Sequence, residues 1–336
     1  MKALLLLPFL FFLCCKVSAQ QHPQLTQYMQ NNYLANPAVA GVEDYGDVRA
    51  GFRSQWVGLE RAPTTFYMSI HAALNKNDRN VTPLRLQHRR VHSNSTVNRN
   101  NRFYRKPHHG AGAIAQVDMA GMIRASTLNL SYAYHLPLTQ RATLSGGVSA
   151  GFTQLAVNHS FFLQTPNDPL LFGDTGNLLR TNLGLGLWLY GQDYYIGISG
   201  TQLLGGGIKK PDAAQQGPRA LLQPHYYFTG GYRLQVSPGL TLTPSVMAKA
   251  AANGQTAVDL NLKALYAQRF WAGISYRHKD AMAGMVGVYL NHLLDVSYSY
   301  DFAISEMSSI NSSSHEVVVG LKFNNPSKIV CPKYMW

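Results

Sequence analysis

Alternation with a period of two runs through most of this sequence, in stretches long enough to restrict the fold severely. Leu128, Leu130, Tyr132, Tyr134 and Leu136 are interleaved with Asn129, Ser131 and His135. Leu183, Leu185, Leu187 and Leu189 alternate with Asn182, Gly184 and Gly186, and Val258, Leu260, Leu262, Ala264 and Tyr266 with Asp259, Asn261 and Lys263. The pattern returns as Leu294, Val296, Tyr298, Tyr300 and Phe302 around Asp295, Ser297, Ser299 and Asp301, and as Val317, Val319, Leu321 and Phe323 around Glu316, Gly320 and Lys322. Successive strand side chains point to opposite faces, so each set covers one side of a sheet. A soluble sandwich alternates too, but three features favour a membrane barrel. The runs reach about nine to eleven residues, the length of a tilted spanning strand, where soluble strands average roughly five or six. Tyr and Trp recur near run ends, as an interfacial girdle requires. The polar face carries small residues with scattered charges, which suits a lumen. The expected fold class is all-β: a transmembrane antiparallel β-barrel of about fourteen strands.

The runs place strands at 47–58, 63–74, 110–118, 123–137, 141–157, 181–190, 193–201, 224–236, 239–249, 256–268, 270–279, 281–291, 293–303 and 315–324. An even number puts both ends of the barrel on the periplasmic side. The periplasmic connections, near 138–140, 191–192, 237–238, 269 and 292, are then short, and the external ones include the long 158–180, 202–223 and 304–314. Short inner turns with long outer loops are the habit of such barrels. The exception is an insertion over 75–109 on the periplasmic side, with nine basic residues and the single acid Asp78. Arg85, Arg89, Arg90, Arg99, Arg102 and Arg105 dominate it. With few large apolar residues it cannot bury enough surface to fold alone, and its arginines suit bidentate contact with carboxylate or phosphate. The insertion reads either as a solvated basic loop or as a contact for acidic periplasmic protein, anionic lipid or cell-wall polymer.

The first residues decide the compartment. Lys2 precedes an apolar run, Ala3 to Leu13, and Val17-Ser18-Ala19 ends in small residues, so residues 1–19 read as a signal peptide cleaved before Gln20. A lipoprotein signal needs a small residue directly before its cysteine, and Leu13 and Cys14 do not fit before Cys14 and Cys15. Only Cys331 then remains, so no internal disulfide is possible. The net charge of +13 would ordinarily raise nucleic acid as a partner, but the excess sits mainly in the insertion of an exported chain, and nucleic acid is not expected. The division is a signal peptide at 1–19, an N-terminal segment at 20–46, a barrel at 47–324 and a tail at 325–336.

The N-terminal segment is polar and turn-rich: Gln27-Tyr28-Met29, then Asn31, Asn36-Pro37-Ala38 and Gly41. Arg53-Ser54-Gln55-Trp56-Val57-Gly58 and Ala62-Pro63-Thr64-Thr65 follow. Later come Tyr132-Ala133-Tyr134-His135, Asn167-Asp168-Pro169, Ser299-Tyr300-Asp301-Phe302, Ser314-His315-Glu316 and a terminal Cys331-Pro332. In this order the segments resemble the PorP/SprF family of Bacteroidota outer-membrane proteins, over nearly the whole mature chain. The basic insertion departs from the family pattern. The resemblance implies a non-enzymatic outer-membrane barrel of type IX secretion or gliding, in a Gram-negative, Bacteroidota-like bacterium. It also implies translocon proteins and cargo with C-terminal sorting domains as partners. The alternative is a transport barrel for a hydrophobic or small polar solute.

Read from the residues, Arg49 and Arg53 share the inner face of the first strand with Gln55. Asp259, Asp295, Asp301 and Glu316 are the acids that can pair with them, either as a charge network or as a docking site for a polar peptide. A fourteen-stranded barrel is too wide for its own side chains to fill, so the N-terminal segment is expected to plug the lumen. Trp56 reads as an interface anchor in contact with outer-membrane lipid. No catalytic, cofactor or metal site is expected. His159-Ser160 and Ser314-His315 are adjacent and so face opposite sides of a strand. His108-His109, in the basic insertion, lacks carboxylate or thiolate company. Gly205-Gly206-Gly207 lacks the strand-to-helix setting of a phosphate loop.

Overall fold

The computed structural model describes residues 25–74, 107–157, 177–204, 223–252, 254–278, 280–304, 313–326 and 328–334. They form fifteen strand segments in one antiparallel sheet: β1 (Gly46–Ser54), β2 (Thr64–Leu74), β3 (His108–Ala120), β4 (Ile123–Pro137), β5 (Thr143–Val157), β6 (Asn177–Tyr190), β7 (Tyr194–Thr201), β8 (His225–Tyr232), β9 (Leu234–Ser237), β10 (Leu240–Ala251), β11 (Thr256–Tyr266), β12 (Phe270–Arg277), β13 (Ala281–Tyr289), β14 (Leu294–Ala303) and β15 (Ser313–Phe323). β8 and β9 are one strand interrupted at Arg233, and both pair with β10, so the sheet has fourteen strands. Pro244 on β10, which has no N–H to give a ladder, lies beside the break, and the Arg233 N–H turns to the Asp193 carbonyl at 2.7 Å.

Strands adjacent in sequence are adjacent in the sheet, and the first meets the last. β1 pairs with β15 from Gly46 opposite Phe323 to Ser54 opposite His315. This closes the sheet into a barrel and leaves no unpaired edge. Alternation is carried through to packing. Arg49, Arg53, Asp259, Lys263, Asp301 and Glu316 are buried inside, while Phe52, Leu130, Leu185, Ile274, Val286 and Phe302 stand exposed on the outer wall. An apolar exterior over a polar interior is the inverse of a soluble protein and is what a hydrocarbon surround selects. Among the described residues no helix is long and apolar enough to cross a membrane.

Of the boundaries that differ from the pattern-based expectation, three have a visible cause. β6 begins at Asn177, earlier than expected, because Asn177 to Arg180 still pair with Ala156 to Thr153. β3 begins at His108, so the two histidines expected in the basic insertion are strand residues, paired with His135 and Tyr134. β1 ends at Ser54 rather than near 58: Gln55 starts a turn, donating its N–H to the Pro63 carbonyl at 2.9 Å, and Trp56 follows at φ 52°. At one rim the connections 138–142, 191–193, 238–239, 267–269 and 290–293 are all short. The expected insertion arginines, Arg85, Arg89, Arg90, Arg99, Arg102 and Arg105, lie outside the described residues, as do 158–176, 205–222 and 305–312.

A closed sheet unzips only by losing a whole ladder of hydrogen bonds. Unboiled protein in SDS is therefore expected to migrate faster than boiled protein and to give a β-dominated circular dichroism spectrum. A helix-rich spectrum, or identical migration before and after boiling, is the contrary outcome.

Candidate functional site within the lumen

Residues 25–45 run inside the ring of strands. Asn and Pro punctuate them, so they form three short 3-10 turns, Gln27–Gln30, Asn32–Leu34 and Pro37–Val39, instead of a regular helix. Asn36 caps the last, its Oδ1 accepting the Ala38 N–H at 2.9 Å, with Pro37 at the first position where a missing N–H costs nothing. Such turns leave backbone and amide groups that must be satisfied when buried, and the inner wall satisfies many of them.

At the end of the lumen away from the short turns, Thr26 enters a cluster of charges. Arg53 reaches Asp301 at 2.7 Å and Glu316 at 3.2 Å. The Thr26 N–H donates to Glu316 at 2.7 Å, its hydroxyl donates to Asp301 at 2.6 Å, and it accepts from Arg53 at 2.8 Å. Gln27 donates to the Glu316 carbonyl at 3.0 Å and accepts from the Ser297 hydroxyl at 2.5 Å. Arg53, Asp301 and Glu316, from β1, β14 and β15, are thus tied to one threonine of the segment.

Midway along, Asn31 donates to Ser69 at 2.7 Å, Asn261 donates to the Tyr28 hydroxyl at 2.5 Å, and the Tyr33 hydroxyl lies 2.5 Å from that of Ser131. Burial pushes the Tyr33 phenol up to about 12, so it stays protonated and able to donate. Asn36 donates to the Leu187 and Ile198 carbonyls at 3.0 and 3.1 Å. Ser199 donates to the Ala35 carbonyl and, nearer the short-turn rim, Ser145 to that of Ala38, each at 2.7 Å. Three histidines then surround one turn. His135 lies 2.7 Å from the Ala40 carbonyl, His108 lies 3.1 Å from that of Gly41, and the Gly41 N–H donates to His71 at 3.3 Å. The His108 and His135 rings stack with centroids 4.3 Å apart. The close approach is possible because the facing wall is bare. A Cβ on Gly110 would lie 1.8 Å from the Ala40 carbonyl oxygen, and one on Gly147 would lie 2.4 Å from the Ala38 nitrogen.

Two further charge groups line the wall. Arg49 pairs with Asp47 at 3.0 Å and Asp295 at 3.5 Å. Asp259 pairs with Lys249 at 2.7 Å and with Arg277 at 3.4 Å, and Arg277 also meets Asp280 at 3.1 Å. The seven sequence-derived lumen residues therefore fall into separate places. Arg53, Asp301 and Glu316 meet one another, Arg49 meets Asp295, Asp259 belongs to a different group, and Gln55 sits past the strand end. Sequence reasoning passed over Lys249 and Arg277 as partners of Asp259, and His71, His108 and His135 as ligands of the segment's backbone. Alternation signals that these side chains point inward, but not which backbone they meet. Among the described residues no group of three or more potential metal ligands comes together. Away from the short-turn rim, Leu25, Tyr28 and Leu34 of the segment line a partly open cavity of about 130 Å³ with Tyr227, Met247 and Lys249.

The family described as type IX secretion system membrane protein PorP/SprF matches residues 17–321. No curated protein matches the chain. Among solved structures, the toluene transporter TbuX of Ralstonia pickettii is similar at 12% identity and a TM-score of 0.49, over 88% of this chain and 93% of its own. The Acinetobacter baumannii outer membrane protein Omp33 is similar at 8% identity and a TM-score of 0.45, over 84% of this chain and 100% of its own. The NanC porin aligns at 12% identity and a TM-score of 0.38, over 83% of this chain and 99% of its own.

The Arg53 cluster carries a measurable load. Removing one member of a buried charge group strands the others and costs about 3–5 kcal/mol, whereas neutralising the group together costs far less. Arg53→Met is expected to lower the urea midpoint of the folded band in unboiled electrophoresis, with Asp301→Asn and Glu316→Gln added together restoring most of it. An Arg53→Met barrel as stable as the parent contradicts the assigned role.

Proposed function

The chain belongs to the PorP/SprF family of type IX secretion system membrane proteins, and from that premise we propose that it acts as a non-enzymatic docking barrel with a closed lumen. It is an outer-membrane β-barrel, and the rim of short turns is its periplasmic face. In this reading residues 25–45 are a plug: a fixed part of the folded barrel that shuts the lumen, not a hatch that opens for a solute. The observation that carries it is the spread of contacts. The segment is bonded to side chains or carbonyls of β1, β2, β3, β4, β5, β6, β7, β11, β14 and β15. Moving it would leave buried ionic groups and histidines without those partners, at a free-energy cost a small solute cannot offset.

The partners proposed are translocon proteins of the type IX system and cargo bearing C-terminal sorting domains, with outer-membrane lipid around the wall. The periplasmic insertion containing Arg85, Arg89, Arg90, Arg99, Arg102 and Arg105 supplies a cationic contact for acidic periplasmic protein or cell-wall polymer. Such a contact is weakened by salt. The transport alternative draws on the cavity beside Tyr227 and Met247, which would serve as an entry site for a solute.

Planar-bilayer conductance separates the two. The parent barrel is expected to be nearly silent, and deletion of residues 26–40 to open a pore while leaving heat-modifiable protein. A parent that conducts steadily favours transport. For docking, replacing the six insertion arginines with Gln is expected to leave assembly intact and to lower recovery of periplasmic type IX components from crosslinked native membranes. Undiminished recovery would remove the insertion from the binding surface.

A further inference from the structure

The described residues after β15, as far as Tyr334, return into the barrel. β15 ends at Phe323, and the tail turns about Asn325. That side chain donates to the carbonyls of His292 at 2.8 Å and Ile329 at 2.9 Å, and accepts the Ile329 N–H at 2.9 Å. Lys322 donates to the Val330 carbonyl. Val330 and Cys331 pack against an apolar group made by Tyr28 and Met29 of the segment with Met247, Trp271, Met285 and Tyr289 of the wall. Tyr334 is buried in a second group with Tyr33, Ala38 and Val39, its ring edge-on to Tyr190 at 5.4 Å. The tail thus enters both apolar groups that the segment forms with the wall.

The joint itself is Glu43, fully buried where the segment passes into β1. One of its oxygens accepts the Tyr334 N–H at 2.6 Å and the other accepts the Lys333 N–H at 3.3 Å. The Lys333 ammonium lies 3.8 Å from Asp44 beside it. Two donors arriving on the two oxygens of one group call for a carboxylate, because an amide presents an acceptor on one side only. A carboxylate with no access to water depends on its donors, so losing the tail leaves Glu43 short of two of them at the root of the segment.

We propose that the C-terminal tail is a clasp that holds the N-terminal segment in the lumen, with Glu43 as the positioning residue that joins them. Release of the tail loosens residues 36–42 from the His71, His108 and His135 side of the wall. The functional consequence, an opened lumen, rests on the reading that the segment closes the barrel; the clasp itself does not.

Cys331 reports on the joint. It is partly buried against the group of Tyr28 and Trp271, and that burial pushes its thiol up, so it is a poor nucleophile while the tail is seated. Purified full-length protein in detergent is treated with a charged maleimide, and amide deuterium exchange is followed over 36–42. Charge-assisted hydrogen bonds are the stronger kind, so Glu43→Gln is expected to speed Cys331 labelling by at least about tenfold and to raise exchange over 36–42 with it. Truncation after Pro332, which removes the donors and leaves the barrel untouched, is expected to do the same and covers the case in which Glu43→Gln fails to assemble. Fast labelling with unchanged exchange over 36–42 means that the tail holds only itself, and the clasp is wrong. Unchanged labelling in both variants also overturns it. A parent barrel that conducts in planar bilayers fails the closure reading instead, and leaves these two readouts to stand or fall alone.

Discussion

In hydrocarbon there is no water to satisfy a backbone N–H or C=O, so a chain that crosses a membrane in strands must pair every one of them and close on itself. Closure is where the rest of this molecule begins. Once β1 lies against β15, the number of strands sets the diameter, and fourteen of them enclose more space than their own inward side chains can fill. Something must enter that space: water, a ligand or another part of the chain. Here residues 25–45 lie against the inner wall and bond to it along their length. Their lack of regular helix or strand follows from the same constraint, because a segment that must meet a wall with a partner every few ångströms is better served by short turns that present carbonyls and amides in several directions.

The chemistry of the filling follows from the wall. Strands whose outer residues are given over to apolar contact with lipid leave their inner residues free to be polar, and a polar wall needs a polar filler. An apolar plug would strand Arg53, Asp301 and Glu316; Thr26 and Gln27 instead add donors and acceptors to them. Charges buried this way contribute modestly to stability compared with an apolar substitute, because desolvation opposes their attraction. What they give is register. Arg53 can face Asp301 and Glu316 together only if β14, β15 and β1 are aligned as observed, so the cluster penalises a slipped closure more than it rewards the correct one. Among the described residues the buried apolar side chains gather in two groups, around Tyr33 and Trp188 and around Tyr28 and Trp271.

The barrel was legible because its signal is local. Alternation around Leu128 to Leu136, or Leu294 to Phe302, needs no knowledge of the rest of the chain, and each strand was found within a few residues of its place. The errors fall where alternation stops being the governing term. Gln55 continues the pattern of Arg49 and Arg53, but the turn that returns the chain to β2 claims it through Pro63. His108 and His109 follow a run of basic residues and seemed to belong to it; the ladder with β4 reaches further than composition suggested. Inward charges were recognised as a set and their pairing was not, because pairing depends on shear around the barrel: Asp259 is claimed by Lys249 across the β10–β11 pair, far from Arg49. The tail escaped entirely. Nothing in Asn325 to Tyr334 alternates, and its partners lie nearly three hundred residues away at Glu43.

An even number of strands brings both ends of the sheet to one rim, and that geometry decides where the two terminal segments can meet. The segment starts among Arg53, Asp301 and Glu316, near the long-connection end, and descends to Gly46 at the short-turn rim; the tail leaves β15 at Phe323, which pairs with Gly46 across the seam. The joint with Glu43 therefore has to lie at the short-turn end, beside the strand pair that closes the barrel, and the Thr26 cluster has to lie at the other. One strap then spans the lumen, fixed by ionic hydrogen bonds at the outer half and by histidines, glycine-cleared backbone contacts and the tail at the inner half. The two ends of the segment differ in what must be broken to free them: the Arg53, Asp301 and Glu316 cluster around Thr26 at one, and the two backbone donors of the tail on Glu43 at the other.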